Sequence, residues 1–187
     1  MLFLDKFFLF FADYHHKRII KYLKNHDITT LIDVGAHKGE FLKIALKIKS
    51  LNQIYCFEPQ KEIFKFLKNE FSKYKKITFF NLALDKKKNK KYLYINKLTS
   101  TSTLSTFNTK SKWLKLKNLL SNSKKNYLKK YKIKTSSLDQ VFKNKRLNKC
   151  LLKVDVEGFE YDVLLGCKRK MNEIQYILIE NQFGNHY

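Results

Sequence analysis

Apolar and polar positions along this chain follow two rhythms in turn. Thr30 to Val34 is a short run dominated by apolar residues, which predicts a buried strand, and it ends in Gly35-Ala36-His37-Lys38-Gly39. Phe41, Ile44, Ala45 and Ile48 then recur at helical spacing. A second strand is predicted over Gln53 to Phe57, ending in Glu58-Pro59, and the next helix carries Ile63, Phe64, Leu67 and Phe71 on its inner face. A third predicted strand, Ile77 to Leu84, runs into the lysine-rich turn from Asp85 to Asn89. Strand alternating with helix predicts an α/β fold: a mostly parallel sheet with flanking crossover helices. Such sheets bind ligands beyond the carboxyl ends of their strands.

The middle of the chain is less regular. Tyr92 to Ile95 reads as a short strand, one arm of a hairpin, and the Ser/Thr-rich stretch from Leu98 to Asn108 as a loop. Lysines alternating with Leu and Tyr predict a helix over Trp113 to Tyr131. Ile133 to Thr135 reads as a strand and Ser136 to Phe142 as a short helical connection. The pattern then predicts a buried strand over Leu151 to Val156, a helix over Tyr161 to Lys170 and a last strand over Tyr176 to Glu180. No linker composition interrupts this, so residues 1–187 read as one domain, with 1–28 a helical extension. Asp5 and Lys6 break the apolar start, and the run from Phe7 to Ala12 is too short to span a bilayer. An amphipathic helix fits better, either packed on the domain or in peripheral contact with a membrane through Lys17, Arg18 and Lys21.

Charge changes this picture little. The net charge of +23 invites a nucleic-acid reading, yet only Arg18, Arg146 and Arg169 among the 39 cations are arginine. Arginine is the usual side chain for bidentate phosphate and base contacts, so solvated lysines are the expectation and no nucleic-acid partner is. Cys56, Cys150 and Cys167 are widely spaced and match neither a disulfide framework nor a zinc site, which fits a reducing cytoplasm. The five histidines form no ligand spacing.

A glycine turn and one acid carry the candidate chemistry of the first half. Gly35 and Gly39 suit a tight turn close to a ligand, but the loop lacks the full GxGxxG pattern. Glu58, at the carboxyl end of the second strand and 25 residues after Asp33, can accept hydrogen bonds from ribose hydroxyls. Together they point to an adenosine-type ligand.

DVGAHKGEF, CFEP, NLAL, SSLDQV, LLKVDVEGFEYDVLLGC and ILIEN stand in this order from about Leu31 to Asn181. The combination resembles the FkbM-type S-adenosylmethionine-dependent methyltransferases. A generic class I methyltransferase has glycine at the position of His37, and the FkbM pattern tolerates a polar residue there. The resemblance implies a Rossmann-like fold that binds S-adenosylmethionine and methylates a hydroxyl oxygen of a sugar, polysaccharide or other small molecule. It also implies that Asp33, Gly35, Ala36, His37 and Gly39 surround the methionine part of the cofactor. Glu58 would hold the ribose, and Asn81, Leu82 and Ala83 would border adenine. For Leu82 and Ala83, plain strand core is the competing expectation.

Asp155 would face the sulfonium and act as general base, with Glu157 as second base or orienter. Both project from one side if the strand extends that far. Glu157 has a competing expectation as a capping carboxylate on the next helix. Asp155 with Glu180 and Asn181 also resembles the oxygen ligands of catechol-type O-methyltransferases, leaving a divalent metal as a minor alternative. The Pro-Pro motif of amino-methylating enzymes is missing, which argues against a nucleic-acid substrate; Pro59 is the only proline. The sequence ends seven residues after Glu180, so the C-terminal hairpin of such enzymes is expected to be absent. This leaves two expectations: a truncated, inactive cofactor-binding domain, or an exposed last strand covered by a second copy.

Overall fold

The computed structural model describes residues 18, 19, 21, 23–95 and 129–179. A five-stranded parallel sheet forms the body, built from β1 (Thr30–Val34), β2 (Gln53–Phe57), β3 (Ile77–Phe80), β7 (Cys150–Val154) and β8 (Ile174–Ile179) in the order β3-β2-β1-β7-β8. Helices α1 (Glu40–Ala45) and α2 (Lys61–Glu70) follow β1 and β2, while α3 (Leu138–Val141) precedes β7 and α4 (Glu160–Leu165) follows it. Strand order reverses between β1 and β7, which makes their carboxyl ends the place for a ligand crevice.

Residues on one side of the sheet pack on α1 and α2, among them Leu31, Cys56 and Leu151 with Phe41, Leu42 and Leu67. Those on the other side, including Ile32, Val34, Leu152 and Val154, meet Leu138, Phe142 and Val163 from the region of α3 and α4. Both faces are therefore covered, and β1 and β7 are buried along their whole length. The three cysteines are free and buried, and burial pushes the thiols of Cys150 and Cys167 up to about 12.

Three expectations need correction. The predicted third strand divides: β3 stops at Phe80, and β4 (Ala83–Leu84) leaves for a second sheet, β4-β6-β5. The physical cause is Asn81, whose side-chain amide donates to the carbonyls of Glu58 and Pro59 and turns the chain there. In that second sheet β5 (Asn89–Ile95) runs antiparallel to β6 (Lys129–Ser136), so the helix expected up to Tyr131 is strand over its last three residues. The rest of that helix and the Ser/Thr-rich loop lie outside the described residues. Finally, α4 ends at Leu165 rather than Lys170. Gly166 follows, packed so closely on the backbone of Asp85 that a side chain would overlap its carbonyl oxygen. Of the N-terminal helix, Arg18, Ile19, Lys21 and Leu23 are described and helical, and Leu23 is buried in the core.

Candidate functional site

The loop after β1 is bent tightly by three left-handed residues, Gly35 (φ 78°), His37 (φ 46°) and Gly39 (φ 84°). Gly35 and Ala36 both donate to the Phe57 carbonyl at 3.0 Å, which ties the loop to the end of β2. Neither glycine tolerates a side chain: a Cβ on Gly35 would overlap the Asp155 carbonyl oxygen, and one on Gly39 the Phe71 ring. His37, left-handed without being glycine, carries a conformational cost on the order of 1–3 kcal/mol. Its backbone N–H offsets that cost by donating to Glu58 Oε2 at 3.0 Å. Its ring contacts Glu40 Oε1 at 3.0 Å, and Lys38 N donates to Glu40 Oε2. Burial would raise the Glu40 carboxyl, but His37 and the backbone amides outweigh it and leave it below the usual carboxylate range.

Glu58 stands at the end of β2, 3% exposed, and its other oxygen accepts from Gln60 N at 2.7 Å. Burial pushes this carboxyl up to about 7, against the opposing pull of the Gln60 amide and of His37. Asn81 binds the backbone of the same loop. Leu82 is half-buried against the core beneath α3 and α4, and Ala83 is buried with Leu93 and Ile133 in the second sheet. The packing of both is that of core residues.

Across the switch point lies an ion triad. Asp33 and Lys153 are register partners on β1 and β7, on the α1 side of the sheet. The Lys153 ammonium lies 3.2 Å from Asp33 Oδ1, 3.2 Å from Asp155 Oδ2 and 3.2 Å from the Gly35 carbonyl. Burial alone would lower the lysine's pKa, but Asp155 and Asp33 outweigh it and hold the group above its ordinary value, so it stays charged. Asp33 has no exposed surface, whereas the Asp155 side chain is 28% exposed. Of the two acids, Asp155 is the one open to a ligand.

The expectation that Glu157 shares Asp155's side through strand alternation fails. β7 ends at Val154, and Glu157 (φ 53°) and Gly158 (φ 88°) are successive left-handed residues. Glu160, in the first turn of α4, accepts from Val156 N and Gly158 N through Oε1 and so fastens the loop that precedes the helix. Asp33, Gly35, Ala36, His37, Gly39, Glu58 and Asp155 thus gather at the carboxyl ends of β1, β2 and β7. Asn81 joins them through the backbone after β2. Lys153, Glu40 and Glu160 are the side chains that sequence reasoning passed over. Among the described residues no group of three or more His, Cys, Asp or Glu is placed to hold a metal, and Glu180 and Asn181 lie outside them.

The model of the methyltransferase FkbM domain matches residues 33–187, which takes in every one of these positions. The chain belongs to the FkbM methyltransferase family. Among solved structures the FkbM chain is similar to the methyltransferase domain of bacterial CtHen1-C, at 19% identity and a TM-score of 0.34, over 40% of this chain and 49% of that one. It is also similar to PH1948 of Pyrococcus horikoshii, named as a candidate RNA methyltransferase, at 19% identity and a TM-score of 0.33, over 39% and 43%. The FkbM chain spans less than half the length of either. No curated protein matches the sequence. No helix among the described residues is long and apolar enough to cross a membrane.

Proposed function

We propose that this FkbM domain transfers the methyl group of S-adenosylmethionine to a hydroxyl oxygen of a sugar, polysaccharide or other small-molecule acceptor. The residues present fit that cofactor by their chemistry. Glu58 is a buried acceptor suited to ribose hydroxyls, and the triad of Asp33, Lys153 and Asp155 carries one net negative charge, suited to a cationic sulfonium. When bound, the cofactor supplies an electrophilic methyl group whose bonding pair leaves with sulfur as the new carbon–oxygen bond forms.

The acceptor hydroxyl must lose its proton in that displacement, and this proton needs a receiver. Lys153 is already protonated, so it cannot serve. Asp155 can, being a carboxylate at the end of β7 with part of its surface open. A carboxylate is a weak base, but a hydroxyl becomes strongly acidic as its oxygen gains a third bond, so a weak base suffices. The partly open Asp155 carboxylate at the β1/β7 switch point is the observation that carries this reading.

Two measurements test it. S-adenosylmethionine or its demethylated product should raise the melting temperature, as any ligand selective for the folded state does. Methyl transfer to candidate glycans should fall by roughly 10²- to 10⁴-fold in Asp155→Asn. An unchanged rate in that variant removes Asp155 as the base, and the absence of any thermal shift removes the cofactor.

A further inference from the structure

Lys153 is hard to account for as packing. It is a charged residue one position from the carboxyl end of a fully buried strand of the central sheet, where an ammonium loses its hydration and an apolar side chain would pack at no such cost. Its ammonium donates to the Gly35 carbonyl and is ion-paired with two carboxylates, so it meets three different places: Asp33 on β1, Gly35 in the loop after β1, and Asp155 beyond the end of β7. The loops bearing Gly35 and Asp155 follow the two strands that flank the switch point. They are in backbone contact as well, since no Cβ fits between Gly35 and the Asp155 carbonyl. One ammonium therefore binds both loops to each other and to the sheet.

We propose that Lys153 is a positioning residue that fixes the Asp155 carboxylate at the crevice and confines the crevice's negative charge to it, giving the site its discrimination between the cationic sulfonium of S-adenosylmethionine and the neutral thioether of the demethylated product. Asp33, wholly buried, is paired with Lys153 away from the ligand. This rests on the cofactor reading above. The two ligands share ribose and adenine, so the Glu58 end of the site contributes equally to both. The ratio of their affinities isolates the charge at Asp155.

The test is calorimetric titration of S-adenosylmethionine and S-adenosylhomocysteine into the whole chain. Lys153→Met alone removes the cation that two acids share and is expected to lose folded protein. The informative variant is therefore Asp33→Asn with Lys153→Met, which keeps the net charge of the triad at minus one. If Lys153 serves only to neutralise Asp33, the double variant keeps the wild-type affinity ratio. If it positions Asp155, the ratio shifts against the sulfonium by roughly tenfold, the size of one charge-assisted hydrogen bond. Asp155→Asn, with Lys153 in place, should shift the ratio in the same direction, and it tests the same link should the double variant fail to fold. A wild-type ratio in either folded variant overturns the proposal. Wild-type protein that binds neither ligand overturns the cofactor reading and this inference together, which separates the two failures.

Discussion

Burial drives the Glu58 carboxyl up to about 7 although two backbone amides hold its oxygens. The folded chain thus binds this proton more tightly than the unfolded chain, whose value lies near 4.5. The stabilisation is complete below about 4.5 and is lost as pH rises through about 7, a loss of roughly 3 kcal/mol for the ligand-free domain. Urea midpoints of the wild type should therefore fall between pH ~5 and ~8, and the Glu58→Gln profile should be flatter. Equal slopes for the two proteins would contradict the assignment. Ribose hydroxyls bind best to the ionised form, so cofactor affinity should rise over the same interval. At this scale the acids were legible because they stand where predicted strands end. Lys153 was legible in principle: a lone lysine within CLLKV demands a buried acid partner, and β1 has Asp33 at the matching position. Glu157 was not, because two successive left-handed residues undo strand alternation and periodicity carries no sign of them.

The antiparallel β5–β6 pair is joined to the main body through β4. Its ladder to β4 has two residue pairs, Ala83 with Thr135 and Leu84 with Ser136. Beside that ladder Lys91 reaches Asp85 at 3.0 Å while its ammonium lies 4.2 Å from the centroid of the Phe159 ring, next to the Asp155 loop. Asp85 has no exposed surface, so Lys91→Met strands a carboxylate that, among the described residues, Thr135 and the Lys86 amide then hold. The expected cost is about 3 kcal/mol in chemical denaturation, and a loss below about 1 kcal/mol would show the pair to be dispensable. The alternation of strands and helices in the body was readable from apolar periodicity. The β5–β6 pair was partly hidden, because KKYKIKTS alternates lysines with Tyr131, Ile133 and Thr135 in a two-residue period that merges with the lysine-rich segment before it. The break after Phe80 was hidden altogether, since ITFFNLAL is apolar enough to read as one strand and only Asn81's bonds to the β2 loop divide it.

At the scale of the whole molecule, β8 is an edge of the five-stranded sheet among the described residues. Ile177 and Ile179 on it are 43% and 37% exposed, which matches the expected apolar last strand. Edges of this kind favour pairing between chains unless charge blocks it. Sedimentation velocity over a range of concentrations should show self-association of the wild type that Ile177→Lys reduces, with the melting temperature changed by no more than about 2 °C. Identical sedimentation of the two proteins would rule out β8 as a contact between copies.

The strand order has a consequence for how the molecule is made. Thr30 on β1 pairs with Gln53 on one side, but with Cys150, 120 residues downstream, on the other. At roughly 5–20 residues per second, synthesis of that stretch takes on the order of ten seconds. During that interval a nascent β3-β2-β1 half-sheet carries one open central edge, and Asp33 waits there without its cation. A chain interrupted before Cys150 holds Gly35 and Glu58 but has no crevice for them to line. The site is thus completed late in synthesis and folding, and the arrival of Lys153 both closes the sheet's interior and pairs with the acid left behind in it.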